Sequence, residues 1–244
     1  MKIGIIGAGN IGATLARKLA AEGHDIKLAN SKGPDSLRDL AQEVGATAVS
    51  REDAVKDVEA IILSIPFLSY QDLAALFAGV PADVTVIDTS NYYPFRDGAI
   101  DGLDNGTAES VWISDQIGRP VIKAWNAVLA ATLAERGKPA GSEGRIALPV
   151  AGDDAKGKAL AMQLVDATGF DALDAGSLAD SWRQQPGTPA YCTELTLGDL
   201  GSALAAADKR RAPENREALI TQFMARYGEL THDDTIAMNR TGTA

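Results

Sequence analysis

A single cysteine, Cys192, among 244 residues rules out an intramolecular disulfide. It also leaves nothing from which a thiolate zinc site or an iron–sulfur cluster could be built. The two histidines, His24 and His232, stand far apart with no ligand-like spacing, so no metal site is expected. Positive charge is scarce as well: 23 Lys and Arg against 33 Asp and Glu leave a formal net charge of -10. Such a surface repels phosphate backbones and anionic lipid, which argues against nucleic acid and membrane as partners. No apolar run approaches the ~18 residues of a spanning helix, and Met1–Ile6 is too short for a signal-peptide core. The expectation is a soluble protein of the reducing cytoplasm whose chemistry does not come from a metal.

What is present is alternation. Short runs rich in Ile and Val (Ile3–Ile6, Ile26–Ala29, Ala60–Ile65, Val84–Asp88, Val121–Trp125 and Ile146–Val150) read as buried strands. Ile11–Ala21, Ser36–Val44, Tyr70–Phe77 and Ser110–Ile117 fall between them with helical periodicity, and Ala155–Thr168 followed by Phe170–Asp174 adds another helix and strand. Near-continuous strand hydrophobicity with intervening helices predicts a parallel sheet covered on both faces, a doubly wound Rossmann-type α/β domain over 1–176. Beyond it the strand signal stops. Ser177–Arg183, Thr193–Ala207 and Glu214–Tyr227 predict a small helical C-terminal module over 177–228. Residues 229–244 are polar and read as uncapped, so partial disorder is the default expectation.

The chemistry-bearing motif comes first in the chain. Gly7-Ala8-Gly9-Asn10-Ile11-Gly12 follows the first strand and opens the first helix, the context in which G-x-G-x-x-G binds a dinucleotide. Gly7 permits the tight turn, Gly9 admits a pyrophosphate to the backbone N–H groups, and Gly12 packs the helix close to the strand. A site that prefers NAD carries a carboxylate at the end of the second strand, where this chain has Ala29-Asn30-Ser31-Lys32-Gly33. A hydroxyl and a cation at that place suit the 2′-phosphate of NADP(H).

These segments resemble the coenzyme F420-dependent NADP oxidoreductase family. So do Ser64-Ile65-Pro66-Phe67, Ile87-Asp88-Thr89-Ser90-Asn91-Tyr92-Tyr93-Pro94, Val121-Ile122-Lys123-Ala124-Trp125-Asn126, Leu148–Asp154 and Ser181–Pro189, and the likeness runs over nearly all of 1–228. The resemblance implies hydride exchange between NADP(H) and a deazaflavin, in a homodimer whose helical C-terminal segment helps shape the acceptor cleft. A flavin-like acceptor would use the same chemistry.

Ligands of doubly wound sheets sit outside the carboxyl ends of the strands. By that rule Ser64, Ile65 and Pro66 are expected at the cofactor, with Ser90 as a possible carboxamide contact. Asn126, which ends a buried strand, is expected nearest the hydride path as the catalytic and acceptor-binding residue, although a helix N-cap is an equal role for Asn there. Arg183, Gln184 and Pro186, in a turn-rich loop, are expected to bind the acceptor, against the alternative of a structural connector. No Tyr–Lys pair of a carbonyl reductase and no G-x-S-x-G elbow occurs. An imine reductase would need a longer helical domain than follows residue 177. The alternatives are a reductase of another small acceptor, such as a free flavin or a ferric chelate, and a non-catalytic NADP(H)-binding sensor.

Overall fold

A computed structural model of the chain describes residues 1–243. Six parallel strands form its main sheet: β1 (Lys2–Ile6), β2 (Asp25–Ala29), β3 (Thr47–Ala48), β4 (Ala60–Leu63), β5 (Thr85–Asp88) and β6 (Ile122–Lys123). Their order, β3-β2-β1-β4-β5-β6, is that of the Rossmann fold, with the direction of winding reversing between β1 and β4. A second parallel pair, β7 (Ala147–Val150) and β8 (Asp171–Asp174), is tied to β6 by an antiparallel bridge between Lys123 and Ala151.

The pleat explains why the strands read as unbroken apolar runs. Ile3 and Ile5 pack on one face of the sheet with Leu15 and Leu19 of helix α1 (Asn10–Ala21). Ile6, Ile61 and Leu63 pack on the other with Phe67, Tyr70 and Ile113, the last from helix α3 (Glu109–Ile117). Both faces are buried, so alternate positions are equally apolar. Helix α2 (Arg38–Val44) closes the β2 side with Leu37 and Val44. Helix α5 (Ala155–Ala167) connects β7 to β8, and α4 (Ala130–Glu135) precedes β7.

The structure adds one strand the sequence did not signal and corrects several local expectations, among them the helix over Tyr70–Phe77, which is a 3-10 turn (Phe67–Asp72) followed by one helical turn (Ala74–Phe77). The edge strand β3 is only two residues long and falls below any periodicity signal. The strand expected over Val121–Trp125 shrinks to Ile122–Lys123, because Trp125 takes a left-handed conformation (φ 55°) that turns the chain. The helix expected over Thr193–Ala207 begins only at Leu197, as α6 (Leu197–Ala206). Cys192 and Glu194 before it have φ of 53° and 50°, and Thr196 bridges to Ile146. Last, the polar stretch after 228 is not uncapped. It carries helix α8 (His232–Gly242), started by a capping box in which the Thr231 hydroxyl accepts from the Asp234 N–H and Asp234 reaches back to the Thr231 N–H.

The C-terminal elements pack on the β7–β8 pair. Leu200 and Leu204 of α6 bury against Ala147 and Ala190. Helix α7 (Ala212–Ala225) carries the Asn215 amide that donates to the Gly187 carbonyl. The stretch expected as a helix over Ser177–Arg183 is a 3-10 turn, Leu178–Gln184, capped by Ser177. No helix among the described residues is long and apolar enough to cross a membrane.

Candidate active site

A cleft of about 610 Å³ opens at the carboxyl ends of β1, β2 and β4. Its floor is the glycine turn. Gly7 has φ +110°, and a Cβ there would run into the Ser64 carbonyl; a Cβ on Gly12 would run into the Gly7 carbonyl. Gly9 differs from both, since a Cβ at that position would meet nothing within 4 Å. The first two glycines are required by the protein's own packing, whereas the third keeps a space open.

The start of α1 faces that space bare. Gly9 is its N-cap, no side chain caps it, and its first turn holds no acidic residue. Its first N–H groups therefore remain available as donors, together with the positive end of the helix dipole.

The β2 end supplies the opposite wall. The Asn30 carbonyl oxygen Oδ1 accepts from the Lys32 N–H at 2.9 Å and its Nδ2 donates to the Ser36 hydroxyl at 3.0 Å, so side chains brace the turn from within. Ser36 in turn donates to the Gly33 carbonyl at 2.7 Å. This leaves the Ser31 hydroxyl and the Lys32 ammonium on the cleft wall with no hydrogen bond or ion pair among the described residues. Arg51 lines the same wall, and it too has no side-chain partner among the described residues. No Asp or Glu lines the cleft.

Nine of the residues expected at the cofactor line this cleft: Gly7, Ala8, Gly9, Asn30, Ser31, Lys32, Ser64, Ile65 and Pro66. Asn10, Ile11 and Gly12 belong to the first turn of α1 behind it. Arg51 escaped the sequence reading because β3, which delivers it, is so short. A usable signal was present all the same: Ser50 caps the one-turn helix Arg51–Ala54 by accepting from the Asp53 N–H, an S-x-x-D start.

At the carboxyl ends of β5 and β6 the polar groups are arranged in the opposite way. Asp88 and Lys123 are fully buried and Glu109 nearly so. The Lys123 ammonium lies 3.3 Å from Glu109 Oε2 and 3.5 Å from Asp88 Oδ2, and donates to the Ser90 carbonyl at 3.1 Å. Asp88 also accepts from the Tyr70, Ser90 and Ser110 hydroxyls at 2.6–2.7 Å. Burial pushes the Glu109 carboxyl above the usual carboxylate range, opposed by the charge of Lys123. Ser90 is thus drawn inward to Asp88 and does not line the cleft.

Asn126 is also turned inward. It is 2% exposed, and its Nδ2 donates to Asn91 Oδ1 (3.0 Å) and to the Gln184 carbonyl (2.8 Å). Its Oδ1 accepts from Gln184 Nε2 at 2.8 Å. Both amide hydrogens are consumed, so the residue expected nearest the hydride path lies outside the cleft and ties the β5 loop to the 3-10 turn. It does not cap a helix either, since α4 starts after Leu129. Arg183 stacks on Trp182, 4.5 Å from the ring centre, and donates to the Leu204 carbonyl at 3.3 Å, which is connector geometry. Pro186 lines a separate small cavity.

Comparison with known proteins agrees with this geometry. The family model "NADP oxidoreductase coenzyme F420-dependent" matches residues 2–92, which span the glycine turn, the Ser31-Lys32 turn and the β4 and β5 ends. The protein YjhV of Escherichia coli (strain K12) is 42% identical over 103 residues, covering 42% of this chain and 74% of YjhV. The crystal structure of SMa0349 from Sinorhizobium meliloti superposes with a TM-score of 0.70 at 30% identity, over 80% of this chain and 95% of that one. A protein from Arthrobacter sp. FB24, described as an F420-dependent NADP reductase, shares the fold with a TM-score of 0.60 at 20% identity, over 92% and 94% of the two chains. The chain therefore belongs to the family of coenzyme F420-dependent NADP oxidoreductases, and it is by that membership an NADP-dependent oxidoreductase.

Proposed function

We propose that the cleft at the ends of β1, β2 and β4 takes NADP(H) and that the protein passes hydride between it and a deazaflavin, coenzyme F420, or a flavin-like acceptor. The observation that carries the reading is the pairing of a bare helix start with two unpartnered cations, Lys32 and Arg51, in a cleft without a carboxylate. In a chain of net charge -10 this is a local reserve of positive potential, and it suits a polyanion. The open space at Gly9 would admit a pyrophosphate to the N–H groups of α1. Ser31, Lys32 and Arg51 would hold the 2′-phosphate, which a carboxylate at the same place would repel. Bound NADPH supplies the hydride, so the protein needs to hold and orient two rings and exclude water rather than provide an acid or base.

Ser64, Ile65 and Pro66 line the cleft at the β4 end, and the Ser64 N–H is anchored on the Ile6 carbonyl at 2.8 Å. Asn126 enters this reading as a positioning residue that fixes Asn91 and the turn ending at Gln184. The acceptor rests on the family's description, and a cytoplasmic homodimer belongs to the same reading.

The test is a panel of acceptors. Purified protein and NADPH are mixed in turn with a deazaflavin, FMN, riboflavin and ferric chelates, and loss of nicotinamide absorbance is followed. Fastest turnover with the deazaflavin is expected. Faster turnover with a flavin or a chelate would reassign the acceptor, and tight NADPH binding with no turnover would leave a non-catalytic NADP(H)-binding protein.

A further inference from the structure

A second cavity, of about 60 Å³, lies where the helical segment meets the sheet domain, and it shares no lining residue with the dinucleotide cleft. At roughly 10–15 Å³ per water it has room for about four to six water-sized groups. Tyr92 and Glu109 wall it on the sheet side; Gln185, Lys209 and Arg216 wall it on the other.

The wall formed by Gln185, Lys209 and Arg216 presents donors without acceptors. The Arg216 side chain is 14% exposed and its guanidinium stands 5.7 Å over the Tyr92 ring. Its Nε donates to Glu217 at 2.9 Å, and its two terminal nitrogens have no partner among the described residues. The Lys209 ammonium has only the Trp182 ring, at 5.8 Å. Gln185 Nε2 is fully buried and makes no hydrogen bond. A buried donor left unpaired, as Gln185 Nε2 is, costs about 1–3 kcal/mol. The carboxylate in the wall does not offset this, because Glu109 is turned to Lys123 and to the Tyr92 N–H.

We infer that this cavity binds a small oxyanion, either free phosphate or the phosphate head of a larger ligand. An oxyanion presents several acceptors on one compact charge and would satisfy the Arg216 nitrogens, the Lys209 ammonium and Gln185 Nε2 together. Such an ion would tie Lys209 to Arg216 of α7 and to Gln185 of the turn before them.

Calorimetric titration of inorganic phosphate tests this. The full-length protein is first saturated with NADP+, and ionic strength is held constant with chloride. A single saturable phosphate site is expected in the wild type and in Lys32→Ala. Arg216→Gln and the exposed Lys209→Ala are each expected to weaken it by about tenfold or more, the scale of one charge-assisted contact. Hydrogen exchange in the first turn of α7 should slow when phosphate is added to the wild type. A titration in glycerol phosphate separates the two sources: binding there indicates the head of a larger ligand, and binding of phosphate alone indicates the free ion. Absence of saturable phosphate binding once the cleft is filled would overturn the inference, as would binding that neither Arg216→Gln nor Lys209→Ala changes.

Discussion

The two ends of the main sheet treat polar groups in opposite ways. At the carboxyl ends of β1 and β2, Lys32, Arg51 and the first N–H groups of α1 face the cleft with no protein partner. At the ends of β5 and β6, Asp88, Glu109, Lys123 and Asn126 are sealed from water and hydrogen-bonded almost to capacity. Unpaired groups at an accessible site can exchange water for a ligand at small cost to the fold, while saturated buried groups have nothing left to offer one. Function is therefore sought on the first side and structural specificity on the second.

Four experiments follow in decreasing order of effect, the first two on that contrast and the last two on the C-terminal segment. Lys123→Met would leave Asp88 and Glu109 buried without their cation, and a loss of about 3–5 kcal/mol is expected in urea denaturation. The same change at Lys32 should stay within about 0.5 kcal/mol. Equal small losses at both positions would remove the distinction between the two ends.

Lys32→Ala and Arg51→Ala should leave that midpoint in place but weaken NADPH binding by about 1.5–3 kcal/mol each, roughly 10- to 100-fold. NADH binding, titrated by fluorescence, should change little. Parallel losses for both nucleotides would refute the 2′-phosphate assignment.

The third test lies in the helical segment. Thr231→Ala removes the cap of α8 and is expected to cost about 1 kcal/mol in the same denaturation experiment. A variant as stable as the wild type would mean that the helix is held by its docking alone.

The smallest effect concerns Cys192, whose thiol burial pushes up to about 12. The unfolded thiol ionises near ~8.5. Between those values the folded state holds a proton that the unfolded state has lost, so stability from this group declines as pH rises through that window. At pH 8 the native thiol should be inert to alkylation and become reactive on unfolding. Rapid modification of the native protein would show that this region opens to solvent.

Much of the cleft was legible in the chain because the signals are local. Gly7, Gly9 and Gly12 are read from spacing, and the absence of an acid at Asn30-Ser31-Lys32 is read from one turn. Arg51 was missed because β3 offers two residues where a pattern needs several. The order of α8 was missed for a different reason. Its Thr231-x-x-Asp234 start was readable, but its docking depends on Asn239 and Arg240 donating to the Cys192 and Thr193 carbonyls, far back in the chain.

Asn126 marks the boundary most clearly. Its place just beyond a buried strand follows from hydrophobic patterning. Whether its amide is free or spent depends on Gln184, 58 residues away, and on Asn91, 35 residues away. What the sequence by itself determined was the alternation of strand and helix, and a phosphate-binding turn followed by a turn without a carboxylate. Each is set by neighbours within one element, through side-chain periodicity and backbone conformation. Only the tertiary structure decided which polar groups remained unpaired, since a hydrogen-bond partner is chosen by distance in space and folding brings together residues the chain keeps apart.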